Sequence, residues 1–153
     1  MWTVFIDADA CPVKDEVYRV ARRYGLAVKV VANAPLRVPA DAQVELVVCR
    51  GFGAADDWIA EHAGPGDIIV TADIPLAERG LTKGARVLDA KGRPFHDGNI
   101  GAMLATRELM EDLRRGGLAA GGPTPMTPKD RSRFLSLLDE TINAVRRAYP
   151  DAK

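Results

Sequence analysis

Two aspartates follow directly after the first β-forming segment of the chain. Residues 2–6 read WTVFI, and Asp7 and Asp9 come next with one residue between them. In an extended chain, residues two apart project from the same face. Two carboxylates on one face repel each other unless something neutralises them, and a bound divalent cation is the simplest candidate. The pair therefore predicts a metal site at the end of the first strand.

Three further aspartates occupy comparable positions. Asp56 and Asp57 begin a predicted helix, and Asp73 follows a later buried strand. Successive helical residues point about 100° apart, so Asp56 and Asp57 should not both face one site. Ligands of an open parallel sheet bind beyond the carboxyl ends of its strands, where Asp7 and Asp9 also lie. Such a cluster suits Mg²⁺ or Mn²⁺, which polarise a phosphodiester, activate water and stabilise the leaving oxygen.

Helix capping is the alternative explanation for most of these acids. Carboxylates are common in the first turn of a helix, where they accept hydrogen bonds from free backbone N–H groups and favour the helix dipole. Asp9, Asp56, Asp57 and Asp73 each precede or begin a predicted helix. Asp7 ends a buried strand and is not explained in this way. The metal interpretation therefore depends on the acids acting together.

The elements that position these acids alternate between strand and helix through residue 90. The alternation predicts an α/β fold with βαβ units and a mainly parallel central sheet of about four or five strands. Predicted strands span 2–7, 26–32, 44–49, 68–72 and 86–88, and predicted helices span 12–24, 54–63 and 74–81.

The pattern changes after residue 90, where a loop precedes two helical segments. Asn99 is expected to cap a helix over 100–115, whose leucines and methionines supply an apolar face. A Gly- and Pro-rich loop over 116–127 follows, and Thr127 and Pro128 begin a final helix. We expect one domain over residues 1–153, with an α/β core in 1–90 and a loop and C-terminal helices in 91–153.

The composition excludes several functional classes. The chain has 153 residues, with 47% hydrophobic and 27% charged residues, and equal numbers of basic and acidic residues give a net charge of zero. The charge balance provides no general attraction to nucleic acid or membrane, although local basic patches are compatible with it. Two distant cysteines form neither a disulfide framework nor a CxxC motif. No apolar run reaches the roughly 20 residues of a membrane span, and the cytoplasm is the expected location.

Three sequence runs resemble the YaiI/YqxD family of uncharacterised bacterial proteins. They are FIDADACPVK at 5–14, ADDWI at 55–59 and DIIVTADIPLA at 67–77. The run DADACP is specific to that family, and the likeness extends over nearly the whole chain. Later positions that also resemble the family are Arg107, Arg114, 121–123, Asp130, Arg131 and Phe134.

The YaiI/YqxD family is in turn similar to PIN-like nucleases. Those proteins carry an acid after the first strand, an acid in an Ala-Asp-x-x-Ile-like helix start and a Thr-x-Asp after a later strand. The resemblance implies a three-layer PIN-like fold and Mg²⁺- or Mn²⁺-dependent cleavage of RNA. It implies catalytic roles for Asp7, Asp9, Asp56 and Asp73. Asp56 matches the helix-start pattern, and Asp57 is the second choice as a metal ligand.

Five other side chains are candidates for contact with a phosphate backbone. Arginine and lysine suit phosphate contacts, and a threonine hydroxyl can bind a phosphate or orient a neighbouring acid. The candidates are Lys14, Thr71, Arg107, Arg114 and Arg131. The alternatives are a solvated lysine, a strand-forming threonine and surface arginines paired with nearby acids. The arginines would line one groove if the C-terminal helices fold over the sheet edge.

Two rival functions fit part of the pattern. Haloacid-dehalogenase-type phosphatases use Asp-x-Asp after the first strand, which would make Asp7 the nucleophile and Asp9 the acid/base. Their later acidic pair has no convincing counterpart beyond Lys83. A non-catalytic nucleic-acid-binding or regulatory module with a structural metal site is the second rival. Taken together, the acids favour a metal-dependent hydrolase that acts on a phosphodiester.

Overall fold

The computed structural model describes residues 2–116 and 125–150, which form an α/β domain around one six-stranded sheet. The strand order is β3-β2-β1-β4-β5-β6; the first five strands are parallel, and β6 is antiparallel to β5. The strands are β1 (Thr3–Asp7), β2 (Ala27–Ala32), β3 (Val44–Val48), β4 (Ile68–Val70), β5 (Arg86–Leu88) and β6 (Pro94–Phe95). The predicted, mainly parallel α/β sheet is confirmed. The additional strand, β6, has only two residues and contains a proline, so it leaves no periodic signal.

Helices cover both faces of the sheet and complete three layers. They are α1 (Lys14–Tyr24), α2 (Ala54–His62), α3 (Ile74–Thr82), α4 (Asp97–Arg115) and α5 (Pro128–Ala148). Helices α1 and α5 share one apolar core with the sheet, and α2, α3 and the start of α4 share the other. Within residues 2–116 and 125–150, no helix combines the length and the apolar character needed to cross a membrane.

Alternate residues of the central strands enter the two cores. Val4 and Ile6 face α1 and α5, where Phe134 is fully buried, whereas Phe5 and Ile69 face α2 and α3. A strand buried on both faces needs an almost continuous apolar run, which β1 and β4 have. In the register of β1 against β4, Val4 lies opposite Ile68 and Ile6 opposite Val70.

The chain reverses its direction across the sheet between β1 and β4. After β1, α1 leads to β2 on one side; after β3, α2 crosses the opposite face and returns the chain to β4 on the other side of β1. The carboxyl ends of β1 and β4 therefore flank a topological switch point, where open α/β sheets bind their ligands. Asp7 is the last residue of β1, and Thr71 directly follows β4.

The end of β1 differs from the sequence prediction. The strand stops at Asp7, and Ala8–Ala10 form a 3-10 turn that brings the Cys11 N–H to the Ala8 carbonyl oxygen at 3.5 Å. Helix α1 begins only at Lys14. The expectation that Asp7 and Asp9 share one face of an extended chain is therefore wrong, because Asp9 lies in the turn.

Helix α4 is capped by His96, three positions before Asn99, which the sequence predicted as the cap. The Gly98 N–H donates to His96 Nδ1 at 3.1 Å, and the His96 N–H donates to Asn99 Oδ1 at 2.9 Å. Asn99 thus lies inside the first turn rather than before it. The predicted apolar face is buried only at the start of the helix, since Ile100 is buried while Leu109 and Met110 are exposed.

The last helix follows the prediction closely. Thr127 and Asp130 form a reciprocal capping box, and Pro128 is the first helical residue. Phe134 and Leu138 are completely buried against the sheet. Most of the loop predicted over 116–127 lies outside the described residues, because the structure describes only its ends.

Candidate functional site

A cleft of about 290 Å³ opens at the carboxyl ends of β1 and β4. It lies at the switch point of the sheet, where the sequence predicted a site. Segments that follow β1, β2, β4 and β5 contribute to its wall, together with the start of α2. The lining residues are Asp7, Asp9, Cys11, Asn33, Gly53, Ala55, Asp56, Val70, Thr71, Ala72, Asp73 and Ala90.

The buried Thr71 hydroxyl links the two central strands at the floor of the cleft. It donates to Asp7 Oδ2 at 2.7 Å and accepts a hydrogen bond from the Asp73 N–H at 3.0 Å. One hydroxyl therefore fixes the Asp7 carboxylate and the backbone that presents Asp73. Of the roles considered for Thr71, the geometry supports the orientation of neighbouring acids.

Asp73 combines a helix-capping role with a position in the cleft. Its Oδ1 atom accepts from the Leu76 N–H at 2.9 Å, and Pro75 occupies the first turn of α3. The capping alternative is thus correct for Asp73. Within the described residues, its Oδ2 atom has no hydrogen-bond donor, so one oxygen is left for a ligand.

Helix α2 directs Asp56, but not Asp57, into the cleft. Gly53 precedes the helix in a left-handed conformation at φ 71°, and Asp56 lies in the first turn. Burial raises the pKa of Asp56 to about 6, with further contributions from the negative charges of Asp7 and Asp73 and an opposing one from Arg79. Asp57 is exposed and pairs with Arg79 at 2.8 Å. The 100° rotation between successive helical residues accounts for this division.

Asp7 and Asp9 contribute to the cleft in different ways. Burial raises the pKa of Asp7 against the lowering effect of the Thr71 hydrogen bond, and nearby Asp73 and Asp9 raise it further. Asp9 is exposed at the rim, where both carboxylate oxygens accept from the Asn33 N–H at 3.0 and 3.2 Å. Asp9 does not cap α1; it ties the 3-10 turn to the loop after β2.

The chemistry of this donor set fits Mg²⁺ or Mn²⁺. Asp7, Asp56 and Asp73 offer carboxylate oxygens from three separate elements, and Asp7 and Asp73 each use one oxygen in a hydrogen bond. Across 2–116 and 125–150, no three His, Cys, Asp or Glu side chains stand close enough together to hold an ion in their present rotamers. Binding of an ion would therefore require these side chains to move closer together.

Cys11 lines the cleft beside these acids. Burial raises the pKa of its thiol, and the nearby charge of Asp7 adds to this effect. The thiolate is the nucleophilic form of cysteine, and a raised pKa disfavours that form at neutral pH. Cys11 is better described as part of the cleft wall than as a nucleophile.

Three of the basic candidates contact other groups of the protein itself. Lys14 Nζ donates to the Cys11 carbonyl oxygen at 3.0 Å and thereby closes the turn after β1. Arg131 pairs with buried Glu16 at 2.8 Å and joins α5 to α1. Arg107 pairs with Glu111 at 3.3 Å on the surface of α4.

These contacts do not bring the arginines into one groove. Arg107 and Arg131 lie on helices that cover opposite faces of the sheet. The side chain of Arg114 lies outside the described part of the structure. The contacts of the three arginines with substrate remain predictions. For Arg107, the ion pair with Glu111 agrees with the alternative of paired surface charge.

Seven residues that line the cleft were not among the candidate site residues, and three of the seven also lie outside the family's sequence runs. Asn33 supplies the N–H that holds Asp9, Gly53 allows the turn into α2, and Ala90 closes the wall after β5. Asn33 directly follows β2, and a polar residue at the carboxyl end of a parallel strand is a signal that could have placed it in the site. Gly53 and Ala90 act through the backbone and small size, which the sequence pattern does not reveal.

Comparison with known proteins finds relatives that match almost the full length of the chain. The family model described as "Uncharacterized BCR, YaiI/YqxD family" matches residues 5–144. A UPF0178 protein of Rhodospirillum centenum is 60% identical over 152 residues, covering 96% of this chain and 99% of the relative. One from Rhodopseudomonas palustris (strain BisB18) is 55% identical over 150 residues, covering 97% of each. No solved structure matches the chain. This chain therefore belongs to the YaiI/YqxD family.

Proposed function

We propose that this protein is a Mg²⁺- or Mn²⁺-dependent phosphodiester hydrolase that acts on RNA in the cytoplasm. The observation that supports it is the convergence of Asp7, Asp56 and Asp73 on one cleft at the switch point of the sheet. The raised pKa of Asp56 arises partly from the other two carboxylates, so the three groups interact electrostatically. Mutually repelling carboxylates in a cleft are a frequent property of cation-dependent sites.

In this proposal, Asp7, Asp56 and Asp73 hold the cation through their oxygens. The bound ion would supply Lewis-acid stabilisation of the negative charge that develops on the phosphodiester. Thr71 orients Asp7 through its hydroxyl, and the α3 N terminus orients Asp73 through the Leu76 N–H. Asp9, at the rim, would add a fourth carboxylate beside the cation, with its oxygens oriented by the Asn33 N–H. The resemblance to PIN-like nucleases favours RNA over other phosphodiesters.

Cleavage of a short 5′-labelled RNA by the purified, EDTA-treated protein tests the proposal. We expect products after addition of Mn²⁺ or Mg²⁺ and none in EDTA. Asp56→Asn and Asp73→Asn should each reduce the rate by about 10² or more, because even outer-shell changes at metal sites cost about 10–100-fold. Thermal unfolding provides a second measurement: Mn²⁺ should raise the midpoint of wild type more than that of either variant.

Asp57→Asn is the matched control. It removes the same charge from the adjacent residue of the same helical turn, but Asp57 points to Arg79 outside the cleft. The control should keep both cleavage and the Mn²⁺-dependent stabilisation. Equal losses in the Asp56 and Asp57 variants would contradict the assignment of the site.

The same preparations distinguish the rival functions. Hydrolysis of p-nitrophenyl phosphate with a trapped phosphate on Asp7 would indicate a haloacid-dehalogenase-type phosphatase instead. Equal RNA binding by wild type and Asp73→Asn, with no cleavage by either in Mn²⁺, would indicate a non-catalytic binding module.

A further inference from the structure

Phe52 is the one phenylalanine of the chain that has no place in either core. Its side chain is fully exposed, at 109% of its reference surface, whereas Phe5, Phe95 and Phe134 are buried. Phe52 lies in the connection between β3 and α2, at the carboxyl edge of the sheet. The exposed ring therefore stands on the edge that carries the acidic cleft.

Two glycines flank Phe52, and one of them lines the cleft. Gly51 and Gly53 flank Phe52 with φ angles of 114° and 71°, a region that other residues rarely adopt. Gly53 lines the cleft, and Asp56 follows in the first turn of α2. Cβ atoms added at Gly51 and Gly53 would meet no atom within 4 Å, so the space beside the loop is open.

The chemistry around Phe52 suits a nucleobase with an accessible face. The cleft is lined by carboxylates, and Arg50, on the same loop, is exposed. An exposed ring beside a phosphodiester site can stack on the base attached to that backbone, and stacking works for any base because each has a π-face. A base paired inside an A-form duplex offers edges rather than a face. An unpaired nucleotide is the occupant that matches both the ring and the cleft.

We infer that Phe52 stacks on an unpaired base of the RNA substrate and so directs the protein to single-stranded RNA. This inference rests on the proposed function and adds a substrate class to it. Stacking of this kind requires a planar side chain at position 52, but no particular base sequence. The ring contributes to binding and takes no part in the chemical step.

Steady-state cleavage of a single-stranded RNA and of the same RNA in a duplex tests the inference. We expect Phe52→Ala to raise KM for the single strand about tenfold, which equals about 1.4 kcal/mol and lies within the range for one base stack. The value of kcat should change little. Phe52→Trp should restore a low KM, and Phe52→Leu, which is apolar but not planar, should not. Wild type should also prefer the single strand over the duplex, and Phe52→Ala should lose most of that preference.

Tyr149→Ala is the matched aromatic control. Tyr149 is a partly exposed aromatic residue near Gly66, which precedes β4 at the opposite edge of the sheet. Its substitution should leave KM unchanged. Because Phe52 contributes to neither core, its variants should unfold at the wild-type temperature, and thermal melts check this.

Each alternative result has a distinct meaning. Cleavage by wild type with an unchanged KM in Phe52→Ala overturns this inference and leaves the proposed function intact. A wild type that neither binds nor cleaves RNA overturns both. A change from dimer to monomer on Phe52→Ala, measured by analytical ultracentrifugation, would show that a second copy of the chain covers the ring and would also overturn the inference.

Discussion

Replacement of Asp56 by asparagine should make the metal-free protein more stable at neutral pH. The pKa of Asp56 rises from 3.8 to about 6 on folding, so the folded chain binds this proton more tightly than the unfolded chain between pH 4 and pH 6. The free energy of unfolding therefore falls as pH rises through that window. At pH 7 the ionised group is a net cost, and Asp56→Asn removes it while preserving the shape of the side chain.

The expected gain in the free energy of unfolding follows from the cost of ionising Asp56 and from two effects that reduce this cost. A change from 3.8 to about 6 corresponds to about 3 kcal/mol at 1.36 kcal/mol per pH unit. Asp56 is partly exposed, and solvent screening reduces this figure to about 1–2 kcal/mol. The positive end of the α2 dipole favours an acid in the first turn by about 0.3–1 kcal/mol. The expected net gain is about 1 kcal/mol, or about 2–4 °C in the unfolding midpoint for a chain of this size.

Urea and thermal unfolding in EDTA at pH 7 and near pH 4 measure this gain. Asp57→Asn, one position along the same turn, should instead lose about 0.5 kcal/mol, since it gives up the dipole interaction and the ion pair with Arg79. Near pH 4 most of the advantage of Asp56→Asn should disappear, because Asp56 is then protonated in the folded chain and about half protonated in the unfolded chain. The reasoning is refuted if Asp56→Asn is no more stable than Asp57→Asn at pH 7.

Two further substitutions test how the cleft and the helices are held. Thr71→Val should lower the free energy of unfolding by about 1–3 kcal/mol, because Asp7 loses its hydrogen-bond donor. Thr71→Ser keeps a hydroxyl and should retain most of the wild-type stability. Equal losses of the two variants in urea unfolding would contradict the role of the hydroxyl. Arg131→Met should cost about 1–3 kcal/mol, because it leaves buried Glu16 without its partner. Arg107→Met breaks a surface ion pair, so its free energy of unfolding should stay within about 0.5 kcal/mol of the wild-type value. An equal loss of stability in both arginine variants would argue against an anchoring role for Arg131.

The sequence predicts the parallel sheet and the gathering of acids because both depend on local signals. Apolar runs that end in an acid, as at Asp7 and Asp73, identify a strand and place its last side chain at the carboxyl edge. The helical rotation separates Asp56 from Asp57 without reference to the rest of the fold. Capping residues such as Thr127 define a helix start in the same local way.

The remaining features depend on tertiary contacts that no short pattern contains. Asp9 leaves the extended chain because a 3-10 turn forms and the loop after β2 supplies the Asn33 N–H. Arg131 resembles a phosphate ligand in sequence, yet its partner Glu16 is 115 residues away. Leu109 is exposed although it belongs to the predicted apolar face of α4, because the periodicity of a helix does not specify which element packs against it.

The hydrogen bond from Thr71 to Asp7 joins residues 64 positions apart, and this separation has a consequence for protein synthesis. A nascent chain that has emerged only through β3 contains Asp7 and Asp9 but lacks the opposite wall of the cleft. Strand β4 must leave the ribosome and insert beside β1 before the acids can meet, and such long-range pairings are slow steps of folding. An N-terminal fragment that ends before β4 therefore carries no assembled site.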